Sequence, residues 1–279
     1  MPIRGRYWFA PQTITTNILT GGTDMAIDVT RQRLNGSGPT ADRLGAWVAI
    51  ATAIAGMVAL AGAISTPARS GAFCTSACIT YPYTDVTAFV PRDYLWMYPA
   101  LLLVVLFVVL AVCIHHMAAP AVRALSGSAV ALAVVAASVI VVDYGVQLLV
   151  LQASLVKGEI EGLTLFSMYN PHGIFIALED VGYLVLGVAF LFVARAIPTG
   201  SRLGKFISWL FTAGGALTVG ALILLSLRYG TDLDYRFEVT AIFINWLVLI
   251  VSGILLNRQF AQRLRAGHHG SPDPIVMLG

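Results

Sequence analysis

Two adjacent carboxylates, Glu179 and Asp180, stand inside a long apolar run that contains no lysine or arginine. Ionisable side chains in a membrane-crossing stretch are rare and costly, so by default they mark a site. Carboxyls in a dry environment can relay protons, hold a cation, or act as general acid and base. Neighbours in sequence lie about 100° apart around a helix, so the two cannot both face one point. One faces a cavity and the other a neighbouring helix or polar partner; Glu179 with Tyr183 and Asp180 with Tyr183 are the alternative faces.

A second apolar run carries Asp143, Tyr144 and, one turn on, Gln147, and a third carries Asn245. At 1.5 Å per residue, Asp143, Glu179, Asp180 and Asn245 all lie roughly 12 Å from the same side of a bilayer. A shared depth argues that they face one another, because a lipid-facing carboxylate has no partner in hydrocarbon. With no basic residue at that depth, at least one carboxyl holds its proton, or pairs with a bound cation or with His172. Asn170-Pro171 reads as a helix start and places His172 in the second helical position, as a solvated cap residue. Proton donor and metal ligand are its other readings. A metal would need His172, Glu179 and Asp143 to converge; no metal and no other cofactor is expected. The competing account makes Asp143, Gln147, the carboxylate pair and Asn245 a network that only holds helices together. Such bonds average about 0.6 kcal/mol, a small return for burying carboxylates, so a ligand, proton or ion site is favoured.

Positioning these groups falls to membrane helices. The chain of 279 residues is 58% hydrophobic and 11% charged, whereas soluble domains carry about 25% charged residues. Six spans are expected, near 44–64, 94–114, 129–151, 172–194, 206–227 and 238–256, forming an all-α integral membrane bundle. Residues 1–43 form a cytoplasmic N-terminal segment expected to be disordered, and 257–279 a cytoplasmic tail. No apolar signal region follows Arg4 and Arg6. Translation from Met25 is one hypothesis for the structureless start, and intact-protein mass decides it.

Arg4, Arg6, Arg31, Arg33, Arg43, Arg123, Arg195, Arg202, Lys205, Arg258, Arg263 and Arg265 fall on one side of this topology. Opposite lie Arg69, Arg92, Lys157, Arg228 and Arg236, with Asp85, Asp93, Glu159, Glu161, Asp232, Asp234 and Glu238. The positive-inside rule therefore puts both termini in the cytoplasm of a multi-pass protein of the cell membrane. Cys74 and Cys78 share an outer loop, where a local disulfide, free thiols or redox chemistry are the alternatives; their spacing is not Cys-x-x-Cys. Cys113 lies in a helix. Gly45, Ala49, Ala53 and Gly56, and likewise the small residues from Ala213 to Gly220, are spaced for close helix packing. Trp47 and Trp209 sit at the inner interface and Trp96 at the outer one. The two halves show no internal repeat of the kind many transporters carry.

The small net charge of +3 and the absence of nucleotide-binding and hydrolase motifs set nucleic-acid and nucleotide chemistry aside. Three functions remain. The first is a small-molecule or proton-coupled carrier with a carboxylate-lined pocket in the outer half of the membrane. The second is an intramembrane enzyme acting on a lipid or isoprenoid. The third is a non-catalytic accessory subunit that docks a protein through its aromatic outer loop. Beyond the bilayer, the expected partner is a small molecule, a lipid or a proton.

Overall fold

Small residues let two of the longest helices lie almost backbone to backbone. In the computed structural model, which describes residues 39–269, α1 (Pro39–Ser65) and α7 (Arg236–His269) pack over most of their length. A Cβ added at Gly253 of α7 would meet the Ala49 carbonyl of α1 at 2.6 Å. The other helices are α2 (Met97–Met117), α3 (Arg123–Val146), α4 (Gln152–Lys157), α5 (Ile174–Ala196) and α6 (Arg202–Tyr229). A π-helical turn, Gln147–Leu151, joins α3 to α4 without a break. No strand occurs among the described residues, and six helices there are long and apolar enough to cross a membrane.

Helices adjacent in sequence pack side by side, and α7 returns to α1, so the order α1, α2, α3, α5, α6, α7 closes a ring. Helix α5 also touches α2 and α7 across the ring. One end of the bundle carries the chain ends of the described region; the Arg263–Asp42 ion pair of 3.4 Å joins them. The other end carries residues 66–96, 158–173 and 230–235, with the Cys74–Cys78 disulfide in the first of these. We call these the terminal end and the disulfide end. Between them runs a stack of Phe107, Phe190 and Phe211, with ring centroids 5.3–5.4 Å apart. The core toward the terminal end is thus aromatic as well as aliphatic.

Most helices outrun the expected spans. Helix α1 starts at Pro39 rather than 44, with Asp42 in its first turn, where an acid favours the helix dipole. Helix α7 runs through 257–269 instead of ending at 256, because buried Leu256 and Phe260 keep packing and Asn257 donates to the Ala46 carbonyl at 2.8 Å. The third span extends to Lys157, where Gly158 takes the left-handed conformation (φ 76°) that closes a helix. The readings of residues 1–38 and 270–279, including a start at Met25, lie outside the described residues.

Candidate functional site

The fourth span does not begin at Asn170-Pro171. Asn170 accepts from the His172 amide at 3.0 Å and donates to the Thr164 carbonyl at 2.9 Å, which folds a turn ahead of the helix. Helix α5 starts at Ile174, so His172 is not a helical residue. His172 is 61% exposed and faces Asp234 at 3.6 Å. Its partner is therefore a loop aspartate at the surface rather than Glu179, and among the described residues it joins no group of metal ligands.

Glu179 is fully buried in α5, and Tyr144 of α3 donates to its Oε1. The Tyr144 and Tyr183 hydroxyls lie 2.9 Å apart, and the Trp246 indole of α7 donates to Tyr183 at 3.1 Å. Each phenol has one proton, and an indole N–H only donates. With Tyr144 committed to Glu179, Tyr183 must donate to Tyr144 and accept from Trp246. The chain therefore points one way and stops at Trp246, so no proton reaches Glu179 along it. Exchange is left to the side of Glu179 away from Tyr144, where Glu238 is its neighbour.

Glu238, in the first turn of α7, is the carboxyl that interacts directly with Glu179. Asp143 and Asp180 are within electrostatic reach of both. Asp143 and Asp180 each have one buried oxygen without a hydrogen bond, and Glu238 has Glu179 as its carboxyl partner. Among the described residues no cation pairs with any of the four. We call the four the carboxyl row; no three His, Cys, Asp or Glu side chains among the described residues gather as metal ligands.

Trp96, Tyr144, Phe175, Tyr183 and Trp246 wall this row, with ring contacts of 5.4–6.4 Å. Trp96 and Phe175 also line a cavity of about 370 Å³ between α1, α7 and the loops of the disulfide end. That is the size range of small-molecule sites. Glu238 lines the same cavity, and so links it to the carboxyl row.

The loops above the cavity are tied down. Arg69 pairs with Asp93, lies 3.5 Å from the Phe89 ring centre, and Tyr169 donates to the same carboxylate at 3.2 Å. The hydrogen bond to Asp93 holds the Arg69 guanidinium above its ordinary range. Ser70 donates to the Tyr169 carbonyl at 2.6 Å and meets the Tyr235 hydroxyl at 2.8 Å. Burial pushes the Tyr169 and Tyr235 phenols up, so both stay donors.

Of the other expected residues, Gln147 is buried and donates to the Phe166 carbonyl, holding a loop rather than lining the cavity. Asn245 donates to Ala241 and Thr218 at 2.7 and 3.2 Å, fastening α6 to α7. Glu179 shares its network with Tyr183, as the first of the two alternative faces had it. Glu238 was missed as a site residue because it sits near the end of its apolar run. Trp246 carries no polar signal that sequence reading would weigh. No known protein family, curated protein or solved structure matches the chain.

Proposed function

We propose that the protein is a multi-pass carrier of the cell membrane, with both termini in the cytoplasm, that links a small molecule in its cavity to proton binding on the carboxyl row. The observation that carries this reading is the row itself: four buried carboxyls with no cation among them reach the cavity through Glu238. Burying ionised groups unpaired costs several kcal/mol each, so the row exists in its empty state with protons in it. Two buried carboxyls at close quarters share a proton more readily than they hold two charges. A ligand arriving beside Glu238 would change which groups hold those protons.

Infrared difference spectra of the purified protein between acid and alkaline buffer test this. A protonated-carboxyl band that titrates, and that loses intensity in Glu238→Gln and Glu179→Gln, is the expected result. In proteoliposomes the same variants abolish any ligand-driven proton movement while still inserting. A protein with no such band, or one that Glu238→Gln leaves intact, sinks the reading.

The directed chain Trp246–Tyr183–Tyr144–Glu179 favours a second reading, an intramembrane enzyme in which Glu179 is a positioned base. Recovery of a bound molecule with altered mass after incubation separates catalysis from transport.

A further inference from the structure

The cavity between α1 and α7 has one feature that selects among ligands. Its lining is apolar and aromatic apart from a few groups, and two of those are charged side chains, Arg69 and Glu238. The Arg69 guanidinium is already occupied by Asp93 and Tyr169 and lies flat over Phe89. Glu238 is 8% exposed, and its partner is another carboxyl, Glu179, rather than a cation. The cavity therefore offers a buried acid, which becomes negative when it gives up its proton, and no free positive group. Behind Glu238 stand Glu179 and Asp180 from α5 and Asp143 from α3, and Tyr183 and Tyr235 are the phenols nearest it. A low-dielectric pocket lined by one sign of charge concentrates the opposite charge. Phe73, Trp96, Phe175 and Phe243 add ring faces, which attract a cation that has little hydration to lose. The mouth is rimmed by exposed Ile64, Phe73, Val239 and Phe243, so access runs over apolar surface.

From this geometry we infer that the cavity binds a lipophilic monovalent organic cation, a positive centre on an apolar body, with its charge against Glu238 and in exchange for a proton. The inference rests on reading this cavity as the ligand site of the carboxyl row. The exchange balances: one cation enters, the Glu238 carboxyl becomes carboxylate, and one proton leaves. No bond between heavy atoms changes.

The probe is tetraphenylphosphonium, titrated into the full-length protein in maltoside micelles and read by tryptophan quenching, with Trp96→Phe identifying the reporter. Binding is expected, with triphenylphosphine oxide, a neutral relative, at least tenfold weaker. Affinity rises with pH by about tenfold per unit while the proton competes, the slope for one proton exchanged. Glu238→Gln weakens binding by tenfold or more and flattens that slope, whereas Glu238→Asp restores part of both. If Glu238→Gln does not fold, Val239→Trp, at the exposed rim, is the second test and is expected to block access. A quaternary ammonium headgroup carries the same chemistry, so phosphatidylcholine is added to the micelles: competition assigns the site to a lipid headgroup, its absence to a free cation.

A folded wild type that does not bind tetraphenylphosphonium overturns the cation, and if its carboxyl band still titrates the proton reading survives. Equal binding of the neutral relative, or binding indifferent to Glu238→Gln, also overturns it. Cation binding that ignores pH overturns the exchange instead.

Discussion

Tyr144 is the side chain on which the carboxyl row depends most directly. Its hydroxyl is the hydrogen-bond partner of Glu179, and the Tyr183 hydroxyl lies behind it. A buried acceptor left without its donor costs about 1–3 kcal/mol, so Tyr144→Phe should lower stability by that amount in a detergent melt. Trp246→Phe removes the terminal, neutral donor, worth about 1 kcal/mol, and also leaves a cavity where a fully buried ring stood, so its total cost should exceed that of the bond. The pair Tyr144→Phe and Tyr183→Phe should be non-additive in a double-mutant cycle, because each phenol's proton is placed by the other. Strict additivity would contradict the directed chain. By contrast, His172→Ala should change stability by less than about 0.5 kcal/mol, as an exposed pair does. Glu179, Asp180 and Asp143 were legible as residues because carboxylates in apolar runs are conspicuous. Which of the adjacent pair takes the tyrosine was not, since that depends on how α5 is rotated against α3.

The helices meet by small residues, and this was legible from spacing alone. A Cβ on Gly215 of α6 would lie 2.5 Å from the Gly187 carbonyl of α5, a backbone atom that cannot step aside. Gly215→Ala should therefore cost about 1–3 kcal/mol and separate α5 from α6. Gly220, on the same helix, has nothing within 4 Å of such an atom. Gly220→Ala should be neutral or stabilise by up to about 1 kcal/mol. Melting curves of the two variants check the contrast, and equal losses would refute the packing described. The π-turn after α3 was not legible. Its residues, Gln147–Leu151, follow Asp143 and Tyr144 directly, as π-turns near functional positions commonly do. Nothing in an apolar run announces the extra residue in such a turn.

The ring of six apolar helices brings both ends of the described region to one end of the bundle, and the proposed topology turns that end to the cytoplasm. Cysteine labelling of intact cells tests the assignment. After mild reduction, Cys74 and Cys78 should react with a membrane-impermeant maleimide, while a cysteine introduced as Arg258→Cys in a Cys74→Ser/Cys78→Ser background should not. The reverse pattern would invert the topology. The six-span plan was readable because hydrocarbon thickness sets a length that each apolar run must meet. Where the bundle leaves room was not readable. The cavity arises from α1, α7 and residues of all three loops at the disulfide end, which are far apart in the chain.

Composition and run length by themselves determined that six helices are long and apolar enough to cross a membrane, because each segment carries its own length and hydropathy. Asp143, Glu179 and Asp180 were in view for that reason. Only the tertiary structure decided that Glu238 completes the row and that Trp246 ends the donor chain. The same holds for Gln147 and Asn245, which fasten loops and helices, and for His172, which belongs to a surface pair. Those assignments depend on helix rotation and on which neighbours close the ring. Both follow from the packing of whole surfaces, and no single stretch of sequence contains them.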